Sequence, residues 1–228
     1  MNDDYSHIIF IMDRSGSMWA QAADAIGGFN SFVNSQKALP GKATMSLILF
    51  DHEYLKPYDF LPIEKVEELT PATFVPRGNT ALRDAVGRAI NETGAHLASL
   101  PENERPGRVL VSIITDGREN ASSEFSAQEI KDMIEHQQTK YSWQITFLSS
   151  DISASEQALS YGFSPGNTRS AKSIASALNG YTLSARNSRT STREAYLSSS
   201  VNAFDMPDVN DALQNLAANV APGSSNTP

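Results

Sequence analysis

Four runs of mostly apolar residues recur along the first two thirds of the chain, separated by longer and more polar segments. The runs cover residues 7–12, 44–50, 108–115 and 143–149. Nearly continuous apolar character is typical of strands that are covered on both faces of a sheet. The pattern therefore predicts the central strands of a buried parallel sheet.

The segments between these runs predict helices. They are expected over residues 20–39, 80–100 and 126–141, with shorter helices at 63–69, 154–161 and 171–185. Residues 54–61 follow a short turn and carry prolines at positions 57 and 62, which favours an antiparallel edge strand. The alternation predicts an α/β fold: a doubly wound, mostly parallel central sheet with one antiparallel edge strand and helices on both faces.

The composition changes toward the end of the chain. We predict one domain over residues 1–190 and a C-terminal extension over 191–228. Residues 188–200 are rich in Ser, Thr and Arg and are expected to be a solvated linker. A small helix is predicted at 209–220, because Val209, Leu213, Leu216 and Val220 have helical spacing. The polar tail 221–228 is expected to be disordered.

Composition excludes several classes of function. The 228 residues carry a net charge of −8, from 18 basic and 26 acidic residues, which disfavours nucleic-acid binding. The chain has no cysteine, so disulfides, thiolate nucleophiles and Cys-ligated metals are excluded. The chain has no apolar run of about 18 residues, so no membrane span is predicted. The acidic residues 1–4 do not resemble a signal peptide. We expect a cytoplasmic protein that does not enter a membrane.

Polar oxygen-bearing residues follow the predicted strands at three places. Asp13, Ser15 and Ser17 come directly after the first apolar run, Thr80 begins a predicted helix, and Asp116 follows the third run. Loops at the carboxyl ends of parallel strands meet at one edge of the sheet, where α/β proteins bind their ligands. Carboxylate and hydroxyl oxygens suit a hard cation, so the pattern predicts a Mg²⁺ site there.

Each part of this pattern has a simpler local interpretation. Asp13 and Ser15 could cap the helix that follows them, and Thr80 could cap the next one. Asp116 and Gly117 together are typical of a turn. The metal hypothesis rests on finding all of these residues in order, one α/β unit or more apart.

The three elements together resemble the von Willebrand factor A (integrin I-like) domain family, in the form of its stand-alone bacterial and phage members. The metal-ion-dependent adhesion site (MIDAS) of that family has the pattern D-x-S-x-S, then Thr, then Asp followed by Gly. Asp13, Ser15, Ser17, Thr80 and Asp116 fill these positions in order. The resemblance covers about residues 5–190 and implies a Rossmann-like sheet.

The resemblance also implies how a metal would be held. The Ser15 and Ser17 hydroxyls would bind Mg²⁺ directly, and Mn²⁺ and Ca²⁺ are alternatives. Thr80 would bind directly when a ligand is present, whereas Asp13 and Asp116 would act mainly through water. One position would remain for a partner's Glu or Asp carboxylate. In this family the last helix, here near residues 170–185, can shift when a ligand binds.

The function that follows is a non-catalytic, metal-dependent protein-interaction module, expected to be a monomer. By analogy with cytoplasmic family members, its partner would be a MoxR-type AAA+ ATPase or a component of a stress system. One alternative is a structural or assembly protein. Another is an enzyme that uses Asp13 in phosphoryl transfer, but Ser15 stands where such enzymes carry a second carboxylate. The chain also lacks a phosphate-binding glycine loop.

Residues beside the site carry further expectations. Met18 should pack beneath the first loop, and Trp19 is expected to be buried rather than an exposed contact residue. The segment 118–120 could select a partner or could be a solvated loop. The four histidines show no spacing that would predict a zinc site.

Overall fold

A computed structural model describes residues 1–163 and 168–201, in which six strands form one sheet. The order is β3-β2-β1-β4-β5-β6, and only the β2–β3 pair is antiparallel. The predicted doubly wound, mostly parallel sheet with an antiparallel edge strand is therefore confirmed. The strands are β1 (Asn2–Asp13), β2 (Lys42–Phe50), β3 (Tyr54–Pro62), β4 (Pro106–Ile114), β5 (Gln144–Ser149) and β6 (Thr168–Ser170).

Helices connect the strands and cover both faces of the sheet. None of those within the described residues has the length and apolar character needed to cross a membrane. The α-helices are α1 (Ala22–Lys37), α2 (Leu82–Ser99), α3 (Ala127–Tyr141), α4 (Ile152–Ser160), α5 (Ile174–Thr190) and α6 (Arg193–Val201), and short 3₁₀ helices cover Gly16–Gln21, Ile63–Lys65 and Glu102–Glu104.

The core consists of two apolar layers, one on each face of the sheet. Alternate β1 residues enter different layers, because successive side chains of a strand point to opposite faces. Ile8 and Phe10 pack in the layer that contains residues of α1 and α5. Ile9 and Ile11 pack in the layer that contains residues of α2 and α3. This double coverage explains why the central strands are apolar at almost every position.

The predicted solvated linker at 188–200 is wrong, because most of it is helical and packed. Tyr196 of α6 is 1% exposed, and its hydroxyl donates to the carbonyl oxygens of Val109 and Ser142 at 3.2 and 2.8 Å. Arg189 is also buried, and its Nη1 donates to the Gln36 carbonyl oxygen at 2.9 Å. Packing therefore continues past residue 190.

Two other expectations differ in detail. Of the predicted helix at 63–69, only Ile63–Lys65 is helical, and Val66 and Leu69 are buried in extended or irregular backbone beyond it. The three-residue strand β6 was not predicted, since its length gives no periodic signal. The predicted helix at 209–220 and the tail at 221–228 lie outside the described residues.

Candidate metal-binding site

The first loop of the site begins where β1 ends. The Asp13 carboxylate accepts a 2.6 Å hydrogen bond from the Ser15 backbone N–H, which closes a tight turn. The Gly16 N–H donates to the Gly78 carbonyl oxygen at 3.1 Å, so the loop is also tied to the segment that precedes α2. The 3₁₀ helix Gly16–Gln21 follows and places Ser17 beside Ser15. Their hydroxyl oxygens are 3.1 Å apart.

Two hydrogen bonds join this loop to the residues that follow β4. The Thr115 hydroxyl donates to Asp13 Oδ2 at 2.5 Å, and the Ser17 hydroxyl donates to Asp116 Oδ1 at 2.8 Å. Both bonds connect residues about a hundred positions apart in sequence. They form because β1 and β4 are neighbours and parallel, with Met12 opposite Ile114.

Thr80 supplies the third element of the site and is held by its backbone. Its N–H donates to Asn120 Oδ1 at 2.9 Å, and its carbonyl oxygen accepts from the N–H groups of Asn120 and Ala121. Gly117 shows how closely the three loops approach. A Cβ at Gly117 would lie 3.0 Å from Ser17 Oγ, 3.3 Å from Thr80 Oγ1 and 3.7 Å from Asp13 Oδ2. Side-chain oxygens of the first two loops thus lie against the backbone of the third, whose Asp116 carboxylate accepts from Ser17.

Burial shapes the electrostatics of the two carboxylates. Removal of Asp13 from water raises its pKa to about 6, although hydrogen bonds from Thr115 and Ser15 partly oppose this shift. Burial also raises the pKa of Asp116, and the nearby charge of Asp151 adds to the effect. Among the side chains that the structure describes, no lysine or arginine forms an ion pair with either carboxylate.

The arginine inside the motif has a different partner. Arg14 is buried, and its Nη2 lies 3.1 Å from Asp51 Oδ2. Arg77 Nε donates to the same Asp51 oxygen at 3.0 Å, and the Arg77 N–H donates to the Arg14 carbonyl oxygen at 2.7 Å. This ion-pair group links the β2–β3 turn to the loop before α2. The positive charge of Arg14 is therefore paired with Asp51 and does not neutralise Asp13.

The donor set fits a hard cation. It comprises three hydroxyls and two carboxylates, which are oxygen ligands of the kind that Mg²⁺ prefers. No group of three or more His, Asp or Glu side chains in the described part of the chain could hold a metal by itself. Any cation at this edge would therefore depend on the hydroxyl oxygens of Ser15, Ser17 and Thr80.

The structure brings together all five residues that the sequence singled out. That they bind a metal remains a prediction. Met18 is fully buried, as expected. The expectation that Trp19 is buried is wrong, because it is 65% exposed. Successive residues of a 3₁₀ helix point about 120° apart, so the inward position of Met18 turns Trp19 toward solvent.

Several structural residues of the site were missed. Thr115 orients Asp13, and Asn120 holds Thr80 through the backbone bond described above. Glu119 accepts from the N–H groups of Ala121 and Ser122. Arg118 is exposed, and its Nε donates to Ser153 Oγ at 3.0 Å. The segment 118–120 is therefore largely a bonded scaffold for the site, and the position of Thr115 directly before Asp-Gly was the only available signal.

Comparison with known proteins supports the fold through structure alone. No protein-family model matches the sequence, and no curated protein matches it at the sequence level. Among solved structures, the pilus adhesin SpaC from Lactobacillus rhamnosus GG aligns with a TM-score of 0.59 at 14% identity, over 81% of this chain and 30% of SpaC. The ArnB paralog VWA2 from Sulfolobus acidocaldarius aligns with a TM-score of 0.53 at 15% identity, over 81% of this chain and 45% of VWA2.

A third similar structure is proximal thread matrix protein 1 from the mussel byssus, described with a zinc-occupied MIDAS motif. It aligns with a TM-score of 0.53 at 16% identity, over 80% of this chain and 46% of that protein. The chain spans less than half the length of each of these structures. Its sheet order and these similarities define the von Willebrand factor A fold.

Proposed function

We propose that this chain is a non-catalytic protein-interaction module that binds a divalent cation and, through it, a carboxylate of a partner protein. Ser15, Ser17 and Thr80 would hold the cation by their hydroxyls, and Asp13 and Asp116 would support it mainly through water. Mg²⁺ suits these hard oxygen ligands best, with Mn²⁺ and Ca²⁺ as alternatives.

The observation that carries the proposal is the pairing of the site oxygens with one another. Asp13 and Asp116 accept hydrogen bonds from Thr115 and Ser17, and neither carboxylate forms an ion pair with any basic side chain that the structure describes. Buried carboxylates without a counter-charge are costly, and a bound cation would offset that cost. Because the hydroxyl ligands are neutral, the cation would keep charge that attracts a further carboxylate.

The similar structures add support of a general kind. SpaC is a pilus adhesin and the mussel protein belongs to a matrix, so two of them are described in terms of attachment or assembly. We propose a protein partner that presents Glu or Asp, such as an AAA+ ATPase of the MoxR type. The site offers little for catalysis, since the described contacts of the Ser15 and Ser17 hydroxyls are with each other and with the Asp116 carboxylate and include no histidine base.

Metal binding can be tested directly with Mn²⁺, whose free-ion electron paramagnetic resonance signal decreases when a protein binds it. The intact chain should remove one equivalent of Mn²⁺ from solution, and excess Mg²⁺ should return it. Asp13→Ala should bind at least about tenfold more weakly, a loss typical of a disturbed metal environment. Asp132→Asn, which removes the same charge from an exposed part of α3, is the matched control.

Carboxylate capture needs a second step. The immobilised chain is loaded with host lysate in Mg²⁺ and eluted with EDTA, beside a column that carries Asp13→Ala. Proteins released only from the native column are then tested again after their Asp and Glu residues are replaced. Equal Mn²⁺ binding by the native chain and the Asp13 variant would refute the metal site. A normal metal site without any EDTA-released protein would refute the interaction role.

A further inference from the structure

A groove of about 650 Å³ lies at the edge of the sheet opposite the candidate metal site. It opens between the C-terminal halves of α2 and α3, beside the starts of β1, β4 and β5. Because the metal-site loops follow the ends of β1 and β4, the two regions are separated by the full length of the central strands. The residues that line its apolar part include Ile90, Ala95, Ala98, Val109, Tyr141 and Trp143.

The groove combines an apolar interior with a mostly basic rim. Arg105, His136 and Lys140 line it, and Glu102 is the one acidic side chain among its described lining residues. Arg105 is fixed there, since its Nε and Nη2 donate to the carbonyl oxygens of Leu100 and Ala98 at 2.9 Å each. Tyr141 is 46% exposed despite its large ring. Such a surface suits an apolar helix face flanked by acidic residues.

We propose that this groove is the docking site for the chain's own segment 202–220. The apolar positions 209, 213, 216 and 220 of that segment have the spacing of one helix face. Docked in the groove, that face would cover the exposed part of Tyr141 and the exposed alanines of α2.

The position of α6 brings the chain to the groove. The Tyr196 hydroxyl bonds to the carbonyl oxygen of Ser142, and Ser142 stands between the groove residues Tyr141 and Trp143. One turn later, Ser199 Oγ accepts from Gln144 Nε2 at 3.0 Å, directly after Trp143. The described chain ends two residues beyond this contact. Both contacts lie on the face of the sheet that α5 covers, since Tyr196 packs in that layer and Gln144 also accepts from Ser188 of α5. Segment 202–220 therefore starts near the beginning of β5 and would pass around the edge of the sheet to reach the groove.

The length of the segment matches this placement. Residues 202–208 provide a connection that can span up to about 23 Å when extended. The predicted helix 209–220 would then be about 18 Å long. Pro207 precedes the predicted helix, and proline is tolerated before or at a helix start but not in a helix interior.

Charge favours the same occupant. Residues 202–228 contain Asp205, Asp208 and Asp211 and no Lys, Arg or His. The rim of the groove contributes Arg105 and Lys140 against Glu102. Without these three aspartates the rest of the chain still has 18 basic and 23 acidic residues, so a basic rim is a favourable place for an acidic segment.

Disulfide trapping tests the proposal in the full chain, because the native sequence has no cysteine. One variant carries Leu213→Cys with His136→Cys, whose position lines the groove. The matched control carries Leu213→Cys with Glu135→Cys, an exposed neighbour whose side chain points about 100° away around the same helix and which does not line the groove. Docking predicts that the intramolecular disulfide forms at least about tenfold faster with position 136, because the segment is held at high effective concentration there.

Two further results complete the test. Adding Leu216→Asp to the position-136 pair should reduce its rate to that of the control, since the apolar face would be broken. Equal rates for the two pairs would refute docking in the groove. Disulfides formed mainly between two molecules would assign the groove to the segment of a second copy and would likewise overturn the proposal.

Discussion

Two buried polar clusters lie along β1, one around His7 in its first half and one around Asp13 at its end, and both central residues are fully buried. At the first, Nδ1 of His7 lies 2.9 Å from Thr44 Oγ1 and Nε2 lies 3.3 Å from Ser46 Oγ. A neutral imidazole has one donor and one acceptor, so these two hydroxyls meet its full hydrogen-bonding capacity.

Burial acts on the two clusters in the same way but leaves them in different states. It lowers the pKa of His7 to about 3, with a smaller effect from His96, and raises the pKa of Asp13 to about 6. The neutral form of His7 is fully satisfied by its neighbours. The Asp13 cluster instead places several acceptor oxygens around one space near the surface. The His7 cluster therefore stabilises the fold, whereas the Asp13 cluster keeps oxygen atoms available for the proposed cation.

Phe60 closes the first cluster. Its ring stacks on His7 at a centroid distance of 3.8 Å and contacts His96 on the other side at 3.9 Å. Its backbone N–H donates to Ser46 Oγ at 3.0 Å, although its φ of 48° is unfavourable for a residue with a side chain. The packing of the ring between two histidines offsets that strain. Among the described residues, no side chain covers the Asp13 cluster in this way, and Ser17 is exposed.

The largest expected effect comes from removing the centre of the closed cluster. His7→Ala should lower the free energy of unfolding by about 3 kcal/mol, because it leaves a cavity and two hydroxyls without their partner. In EDTA, Asp13→Asn should change that free energy by less than about 1 kcal/mol, since a neutral amide suits the buried position. Urea unfolding of both variants measures the difference. Equal losses would contradict the assignment of separate roles.

Metal should act on the second cluster alone. If Mg²⁺ binds at the site, a concentration about a hundred times its Kd should raise the free energy of unfolding by about 2.7 kcal/mol relative to EDTA. Asp13→Asn should lose this gain, whereas Asp132→Asn should keep it. Urea titrations in Mg²⁺ and in EDTA provide the measurement. A gain that survives Asp13→Asn would place the cation elsewhere.

The pH dependence of stability should report on His7. Its folded pKa of about 3 lies below the unfolded value of 6.5, so the unfolded chain binds more protons between these values. The His7 contribution is therefore complete above about pH 6.5 and is lost as the pH falls toward 3. The slope from this group is at most about 1.4 kcal/mol per pH unit.

The measurement is best made in the Asp13→Asn background in EDTA, with unfolding followed at several values between pH 4 and pH 7. Adding His7→Gln should remove the slope that His7 contributes, because glutamine keeps polar atoms but does not titrate. A slope that is unchanged by His7→Gln would assign the pH dependence to other groups.

The smallest expected effect concerns the hydroxyl that orients Asp13. Thr115→Val keeps the shape of the side chain but removes the 2.5 Å hydrogen bond to Asp13 Oδ2. We expect Mg²⁺ affinity to fall about fivefold, which corresponds to roughly 1 kcal/mol for one charged hydrogen bond. Competition against Mn²⁺ provides the affinity. No change in affinity would mean that the other contacts of Asp13 are sufficient to orient it.

The sequence predicted the central sheet and the grouping of the site residues because both depend on local patterns. Apolar runs mark the buried strands, and the polar residues of the site directly follow strand ends or, for Thr80, lie just before a helix that begins at Leu82 rather than at residue 80 as predicted. The burial of Tyr196 and Arg189 depends instead on distant partners such as Val109 and Gln36. A composition rich in Ser, Thr and Arg does not indicate those contacts. The sequence therefore predicted a solvated segment there.

The exposure of Trp19 was missed for a similar reason. Its hydrophobicity favours burial, but the direction of its side chain is set by the 3₁₀ turn and by the inward position of Met18. Residues such as Thr115 and Asn120 act by holding other residues in place. Their role becomes visible only when the loops have been brought together.

The place of the candidate site in the strand order has a mechanical consequence. Asp13 and Asp116 follow β1 and β4, the two middle strands of the six. Each middle strand is hydrogen-bonded to parallel neighbours on both sides. A force applied to a partner held at this edge would pull along these strands, and many evenly spaced hydrogen bonds would share the load in shear. The fold thus attaches the candidate site to the middle of its sheet, where the pull would be shared by several strands.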